Sequence, residues 1–266
     1  MKIYKFIPIT ILTALIMSSC AVKQKRNSDH LLMAVLYQQR AAELKALYIQ
    51  AYNTAAFQLD QMLQNPAIEN GKPKAVVVDI DETVLDNSPY EAMLILSEKQ
   101  WDSTSWSVWT EKAQAEALPG AQEFLSYAAS KGVEVFYISN RDKVNETATL
   151  KNLKDKNFPM VDKKHLILKE KTSSKEPRRQ MLMKEYNIIM LAGDNLTDFI
   201  GTYDKATLEN RDKLTEQYKK EFGNRYIVLP NAMYGDWENA LFNYNYKMSE
   251  VQKDSIRKAM LIPFGN

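Results

Sequence analysis

The sequence predicts a doubly wound α/β fold, and three observations support this prediction. Helical patterns alternate with the predicted strands, as in parallel sheets with helices on both faces. The strands are continuous apolar runs, typical of burial on both sheet faces, at residues 74–80, 133–138, 166–168, 188–191 and 226–229. The helical patterns lie at residues 120–130, 144–156, 176–186 and 205–221. Polar clusters directly follow four of the strands, so we expect a ligand site at the C-terminal edge of the sheet.

Two segments fall outside this alternation. Apolar residues recur at helical spacing over residues 31–63 and predict one or two helices, which Asn65 and Pro66 end. Residues 85–118 follow the first strand, hold three of the four tryptophans and predict a small helical cap. We therefore expect a helical segment over residues 21–73 that packs with the cap, and a core over residues 74–266 that carries the cap as an insertion.

The first twenty residues read as an export signal. Lys2 and Lys5 precede an apolar stretch at residues 6–17, which ends in small residues and is short for a membrane span. A short N-terminal anchor or a first core helix is the alternative. The ending Met17-Ser18-Ser19-Cys20 resembles a bacterial lipoprotein signal, which implies a lipid on Cys20 and attachment to the cell envelope. Ala21 resembles the pattern of lipoproteins sent to the outer membrane.

Composition limits the partners of the chain. The 266 residues include 35 Lys and Arg against 33 Asp and Glu, and removal of residues 1–20 would leave equal numbers. This balance gives no global basic field, so nucleic-acid polymers are poor candidate partners and anion binding must be local. Cys20 is the single cysteine, so no internal disulfide forms and stability must come from core packing.

The segment VVVDIDETVLDNSPY, residues 76–90, places two carboxylates directly after a buried strand. A carboxylate at the edge of a core must be solvated, paired or metal-bound. Asp79 is placed to attack phosphorus, while Asp81 protonates the leaving oxygen and later takes a proton from water. Backbone amides of the following turn and the Thr83 hydroxyl would donate to phosphate oxygens.

Two acids facing a phosphate dianion require positive charge nearby. Asp194 and Asp198, in IMLAGDNLTDF, add hard oxygen ligands suited to Mg²⁺ beside Asp79. Lys175 and Arg141 are candidates to neutralise the remaining charge. Ser139 and Asn140 would donate hydrogen bonds to the transferred group.

These segments resemble the signatures of a known family. VVDIDETVLDNSPY and IMLAGDNLTDF resemble the paired motifs of the class C, lipoprotein-type acid phosphatases of the haloacid dehalogenase (HAD) superfamily, and ISNR resembles the second HAD motif. The likeness extends to VLPNAMYGDWE, residues 228–238. It implies a HAD-like parallel sheet with a smaller helical cap, a Mg²⁺ cofactor and an aspartyl-phosphate intermediate. Asp79, the backbone carbonyl of Asp81 and Asp194 are the implied metal ligands, and Asp198 is either a further ligand or a residue directly behind them.

The resemblance also implies a catalytic lysine and an aromatic substrate-binding site. A lysine before a helix, with an arginine three residues on, selects Lys175 and Arg178, while Lys169 and Lys171 remain substitutes. Aromatic side chains of the cap and of the loop after the last strand sandwich a nucleobase or aryl group in the family. The positions that resemble these are Trp101, Trp106 and Tyr234. Packing in the cap core is the alternative role for the tryptophans.

The sequence lacks the residues and motifs of several other phosphatase and nucleotide-binding classes. His30 and His165 are the only histidines and form no metal-spaced cluster, which disfavours histidine phosphatases and His-rich binuclear sites. The eight glycines form no G-x-S-x-G, G-x-G-x-x-G or Walker A motif.

The sequence thus favours a Mg²⁺-dependent phosphomonoesterase that acts on nucleoside 5′-monophosphates and aryl phosphates. Its general acid must be protonated at the leaving step, which predicts an optimum below neutrality. A lipoprotein that binds nucleotides without turnover is one alternative, and a phosphotransferase is another. The physiological substrate and the state of assembly stay open, with a homodimer as one option.

Overall fold

The computed structural model describes residues 29–265. The predicted signal peptide and Cys20 lie outside the described residues. Within residues 29–265, no helix combines the length and the apolar character needed to cross a membrane.

A five-stranded parallel sheet forms the centre of the fold, in the order β5-β4-β1-β6-β7. Its strands are β1 (Lys74–Val78), β4 (Glu134–Asp142), β5 (Leu166–Lys169), β6 (Asn187–Gly193) and β7 (Tyr226–Val228). The first strand of the core is therefore the central strand of the sheet. The chain moves outward on one side through β4 and β5, and on the other side through β6 and β7. This reversal next to β1 is the position at which open α/β sheets bind ligands.

The central strands are apolar on both faces because helices cover both faces. Val76 and Val78 face one core cluster, while Ala75 and Val77 face another, as the twofold period of a strand requires. All four side chains are at most 3 % exposed. The prediction of a parallel sheet between helical layers is confirmed.

The helices of the core lie between the strands and after the last of them. They are α5 (Ala121–Ser130), α6 (Glu146–Asp155), α7 (Glu176–Glu185), α8 (Leu208–Gln217), α9 (Asp236–Leu241) and α10 (Glu250–Ala259). The cap contains α3 (Ser88–Leu96) and α4 (Ser103–Glu111). Two short antiparallel strands, β2 (Leu85–Asp86) and β3 (Glu116–Ala117), pair at its base and return the chain to the core.

The N-terminal helices divide between the cap and the core. Helix α1 (Leu32–Arg40) packs on α3 of the cap. Helix α2 (Ala42–Gln64) instead packs on α5 and β7, in the same core cluster as Val76 and Val78. The buried residues of α2 recur every three or four positions along the whole helix, so one apolar face packs on the core. They are Leu44, Tyr48, Tyr52, Ala55, Leu59 and Met62.

Two tyrosines of α2 hold the loop that follows β1. The Tyr48 hydroxyl donates hydrogen bonds to the carbonyl oxygens of Glu82 (2.8 Å) and Pro230 (3.0 Å). The Tyr52 hydroxyl donates to the carbonyl oxygen of Thr83 at 2.7 Å. Helix α2 therefore fixes the backbone just beyond the two carboxylates.

Tyr52→Phe is expected to destabilise the fold by about 1–2 kcal/mol, because it removes the donor and leaves the Thr83 carbonyl without this partner. Urea denaturation would measure the change as a lower midpoint with an unchanged slope. Tyr37→Phe, at a site that is 42 % exposed, is the matched control and should change the midpoint little. Equal midpoints for wild type and Tyr52→Phe would contradict this role.

Candidate active site

The C-terminal strand ends surround a cleft of about 770 Å³, a size typical of small-molecule sites. Most residues proposed from the sequence line it: Asp79, Asp81, Trp101, Trp106, Asn140, Arg141, Lys175, Asp194, Asp198 and Tyr234. Thr83 and Ser139 are fully buried behind this lining. The cleft therefore brings together side chains at the C-terminal ends of four strands and side chains of the cap.

Lys175 binds two carboxylates at the floor of the cleft. Its Nζ lies 2.5 Å from Oδ1 of Asp79 and 2.6 Å from Oδ1 of Asp198. Burial alone lowers the pKa of Lys175, but the carboxylates of Asp198 and Asp79 outweigh burial and raise it, so this lysine stays charged. Lys169, one of the alternatives considered from the sequence, instead pairs with Asp142 on the surface at 2.8 Å.

Gly193 allows Asp198 to approach the end of β6. A Cβ at position 193 would lie 2.5 Å from Cβ of Asp198, which is too close for two carbon atoms. Asp198 ends a short 3₁₀-helix (Leu196–Asp198), and its Oδ2 accepts the backbone N–H of Asn195 at 3.0 Å. Arg179 binds the carbonyl oxygen of Asp198 at 2.7 Å from behind. The loop after β6 is therefore fixed on both sides of the carboxylate.

Three carboxylates form a cluster that could hold a metal ion. One oxygen from each of Asp79, Asp194 and Asp198 lies within 4.8 Å of the others. Burial raises the pKa of Asp79 well above its usual range, although Lys175 opposes the shift. Burial, and then the charge of Asp198, raises the pKa of Asp194 to about 7. Lys175 supplies one positive charge against three carboxylates, so the cluster suits a hard divalent cation.

Two hydrogen bonds orient Asp194 within this cluster. Asn231, in the loop after β7, donates to its Oδ2 at 2.8 Å. The Thr83 hydroxyl donates to its Oδ1 at 3.2 Å. The Thr83 hydroxyl, a donor to phosphate in the sequence-based prediction, is directed at the carboxylate of Asp194 in this structure. Outer hydrogen bonds of this kind fix the orientation of metal ligands.

Asp81 is held by an arginine from the next strand. The Arg141 guanidinium donates from Nη2 (2.8 Å) and Nε (3.0 Å) to Oδ1 of Asp81. The Ser139 hydroxyl lies 3.3 Å from its Oδ2 and also accepts the backbone N–H of Arg141. Arg141 is 2 % exposed and lines the cleft, where its guanidinium forms an ion pair with Asp81.

Asn87 connects Asp81 to the cap and was not identified from the sequence. Its Nδ2 donates to Oδ1 of Asp81 at 2.9 Å, and its Oδ1 accepts the indole N–H of Trp109 at 2.8 Å. Its backbone N–H donates to Glu82, whose own backbone is left-handed at φ 57°. Asparagine is common in turns, so the sequence pattern around Asn87 indicates only a turn. The contacts of Asn87 with Asp81 and Trp109 are visible only in the folded structure.

Asn140 is exposed at the cleft and is held by Arg178. The guanidinium of Arg178 donates to Oδ1 of Asn140 at 2.6 Å and to the carbonyl oxygen of Ser139 at 2.7 Å. An amide whose oxygen accepts from arginine keeps its N–H₂ group for another acceptor. Asn140 is thus arranged as a hydrogen-bond donor at the cleft.

Aromatic side chains line the outer part of the cleft. Trp106 packs edge-on against Tyr90, with ring centroids 5.1 Å apart, and Trp101 is 60 % exposed. Tyr234, in the loop after β7, lines the same cleft and packs against the cluster formed by Val35, Ile95 and Met233. Cap and core therefore both contribute aromatic surface, whereas Trp109 binds Asn87.

Glu91, on α3, is a further acid in the cleft wall, and it makes stability depend on pH. Burial, and then the charge of Glu238, raises its pKa from 4.5 to about 7.

The contribution of Glu91 to the free energy of unfolding is therefore full below pH 4.5 and is lost as pH rises toward 7, because the unfolded chain releases this proton first. Over this window we expect wild type to lose about 3 kcal/mol more stability than Glu91→Gln. Denaturant titrations at several pH values would test this; parallel curves for the two proteins would contradict it.

Comparison with known proteins agrees with this geometry. A model of HAD superfamily, subfamily IIIB (acid phosphatase), matches residues 15–237. The class C acid phosphatase from Bacillus anthracis superposes with a TM-score of 0.85 at 44 % identity, over 90 % of this chain and 99 % of that one. A second structure of that protein contains tungstate.

Two curated plant proteins share a shorter region. The stem 28 kDa glycoprotein of Glycine max is 29 % identical over 134 residues, and acid phosphatase 1 of Solanum lycopersicum is 28 % identical over 134 residues. Each match covers 47 % of this chain and 52 % of the relative, so the chain spans about half the length of these relatives. The family match, which covers most of the chain, confirms the resemblance noted in the sequence, and the chain belongs to subfamily IIIB of the HAD superfamily, the acid phosphatases.

Proposed function

We propose that the chain is an acid phosphatase that hydrolyses phosphomonoesters through a phosphorylated Asp79. One observation carries this proposal: Asp79 and Asp81 open into the same cleft, the first beside a buried lysine and the second beside a buried arginine. A pure binding protein gains nothing from a carboxylate aimed at phosphorus. The family match supports the same reaction class.

In the first step a carboxylate oxygen of Asp79 forms a bond to phosphorus. The bond from phosphorus to the leaving oxygen breaks, and Asp81 gives that oxygen a proton. In the second step water attacks phosphorus, Asp81 takes a proton from the water, and the acyl phosphate bond breaks. Inorganic phosphate leaves, and both carboxyl groups return to their starting states.

The protein surrounds the transferred group with donors. Lys175 offsets charge on the phosphoryl oxygens and on Asp79, and the amide of Asn140 donates a hydrogen bond. Asp79, Asp194 and Asp198 would hold Mg²⁺, joined by the backbone carbonyl of Asp81. Bound there, the ion would offset negative charge that builds up on the phosphoryl oxygens.

Nucleoside 5′-monophosphates and aryl phosphates are the proposed substrates. Trp106 and Trp101 of the cap and Tyr234 of the loop after β7 offer flat aromatic surfaces in the cleft. Stacking on such surfaces tolerates any base and is worth roughly 1–3 kcal/mol per base. Bound tungstate in the Bacillus anthracis relative supports binding of a tetrahedral oxyanion in this fold.

The test is phosphate release from 5′-AMP and p-nitrophenyl phosphate at mildly acidic pH, with Mg²⁺ or with EDTA. We expect Mg²⁺-dependent release from both esters. Binding of 5′-AMP without release would support a nucleotide-binding lipoprotein instead. Added alcohol separates hydrolysis from phosphotransfer, because a phosphotransferase would form a new phosphate ester at the expense of free phosphate.

Asn87→Ala is expected to slow hydrolysis of alkyl phosphates about 10-fold more than that of p-nitrophenyl phosphate. Loss of this hydrogen bond loosens Asp81, and alkoxide leaving groups need its proton far more than nitrophenolate does. The kcat values of both substrates measure the effect. Trp109→Phe, which removes the indole N–H that binds Asn87 together with part of the ring, should give a smaller effect in the same direction. An equal decrease for both esters would assign Asn87 a purely structural role.

We further propose attachment to the outer membrane through a lipid on Cys20, as the signal-like residues 1–20 suggest. Cys20→Ala should then release the protein from the membrane fraction, and an unchanged distribution would contradict this anchor.

A further inference from the structure

Glu91 is a buried carboxyl group on α3 of the cap. It is 5 % exposed and lines the same cleft as Asp79. Leu94, one turn further along α3, lines this part of the cleft as well. Helix α3 therefore presents one apolar and one acidic side chain to the cleft.

The carboxyl group of Glu91 lacks a protein partner. Within residues 29–265, the side-chain oxygens of Glu91 form no hydrogen bond or ion pair, and they are accessible from the cleft. Neighbouring acids in the cleft wall are paired: Glu238 accepts two hydrogen bonds from Arg257, at 2.9 and 2.7 Å. Lys253 is likewise engaged by Glu250 at 2.7 Å. Buried polar groups are normally hydrogen-bonded, so a partner from the cleft is expected.

The charges around Glu91 favour an uncharged partner. Glu238 faces it from α9, with Arg257 of α10 bound to that acid. Burial and the charge of Glu238 raise the pKa of Glu91 to about 7, so the group is neutral in mildly acidic solution. A neutral carboxyl group accepts a hydrogen bond through its carbonyl oxygen and donates one through its hydroxyl. Hydroxyl and amino groups match it, whereas a plain hydrocarbon does not.

We propose that Glu91 is a specificity-determining residue, which hydrogen-bonds to a hydroxyl or amino group on the leaving group of the phosphomonoester. This inference rests on the proposed phosphatase function. The aromatic surfaces bind the flat part of the leaving group, and Glu91 then selects leaving groups that carry hydrogen-bonding groups. Nucleosides have such groups, while phenol lacks any beyond the ester oxygen itself.

The test compares kcat/KM for 5′-AMP and for phenyl phosphate in wild type, Glu91→Leu and Glu91→Gln. We expect Glu91→Leu to lower the ratio of the two values about 10-fold. Glu91→Gln should keep most of the ratio, because an amide both accepts and donates. Glu111→Leu, at an exposed site on the other cap helix, is the matched control and should leave the ratio unchanged.

A second measurement uses wild type alone, so it does not depend on the folding of a variant. It compares 5′-AMP with analogues that lack the 2′- and 3′-hydroxyls or the base amino group. We expect one deletion to lower kcat/KM about 10-fold and to have little further effect in Glu91→Leu. Equal values for all analogues, or an unchanged ratio in Glu91→Leu, would overturn the inference. Hydrolysis of phenyl phosphate by wild type would still uphold the proposed function, and its absence would defeat both.

Discussion

Asp79→Asn is expected to reduce phosphate release by at least about 10⁴-fold while the fold is retained. An amide is a poor nucleophile toward phosphorus and forms no stable phosphorylated intermediate, and loss of a nucleophile removes most of the catalysis. Rates with p-nitrophenyl phosphate, measured beside a thermal melt, would separate the loss of activity from unfolding.

The melt should show a smaller loss of stability in Asp79→Asn than in Lys175→Met. Burial and nearby acids already disfavour the charged form of Asp79, so a neutral amide is tolerated there, and Lys175 keeps Asp198 as a partner. Asp212→Asn, on the exposed side of α8, is the matched control. Substantial release by Asp79→Asn, with the control at the wild-type rate, would remove Asp79 from the reaction.

Lys175→Met is expected to affect both activity and stability. The side chain is 6 % exposed and separates the carboxylates of Asp79 and Asp198. Removing its charge leaves two buried acids uncompensated, and breaking such buried pairs costs about 3–5 kcal/mol. Activity should fall by about 10²–10³-fold, because positive charge beside the transferred group is lost.

Urea denaturation and rates of phosphate release would measure these two effects. Lys169→Met is the matched control because Lys169 pairs with Asp142 at the surface, where an ion pair contributes less than about 1 kcal/mol. Mg²⁺ should recover part of the stability of Lys175→Met by binding the three carboxylates. Equal stability and activity in wild type and Lys175→Met would contradict the central position assigned to this lysine.

The sequence predicted which elements meet at the site, because that outcome follows from chain topology. Parallel strands end at one edge of a sheet, so residues at the end of β4 and in the segments that follow β1, β6 and β7 gather there. Asp79, Asn140, Asp194 and Tyr234 accordingly line one cleft. Lys175 does so as well, because α7 begins directly after it and delivers its side chain to the strand ends.

The sequence pattern did not predict which side chains hydrogen-bond to each other at the site. Thr83 and Arg141 are directed at Asp194 and Asp81, since side-chain orientation depends on neighbours that are distant in the chain. The position of α2 was also missed, because its apolar stripe fits a cap or a core equally well. Glu91 gave no signal for a similar reason: an acid in a helix reads as a solvated side chain until the fold buries it.

Direct trapping of the phosphorylated enzyme tests the central claim most closely. The purified full-length chain is mixed with p-nitrophenyl phosphate and Mg²⁺, quenched in acid within a single turnover, and reduced with borohydride, which converts an aspartyl phosphate to homoserine. Mass spectrometry of the digested protein then locates the product. We predict homoserine at position 79, only in the presence of substrate. Rapid phosphate release with unmodified aspartate at position 79, or with the modification on another residue, would contradict nucleophilic attack by Asp79.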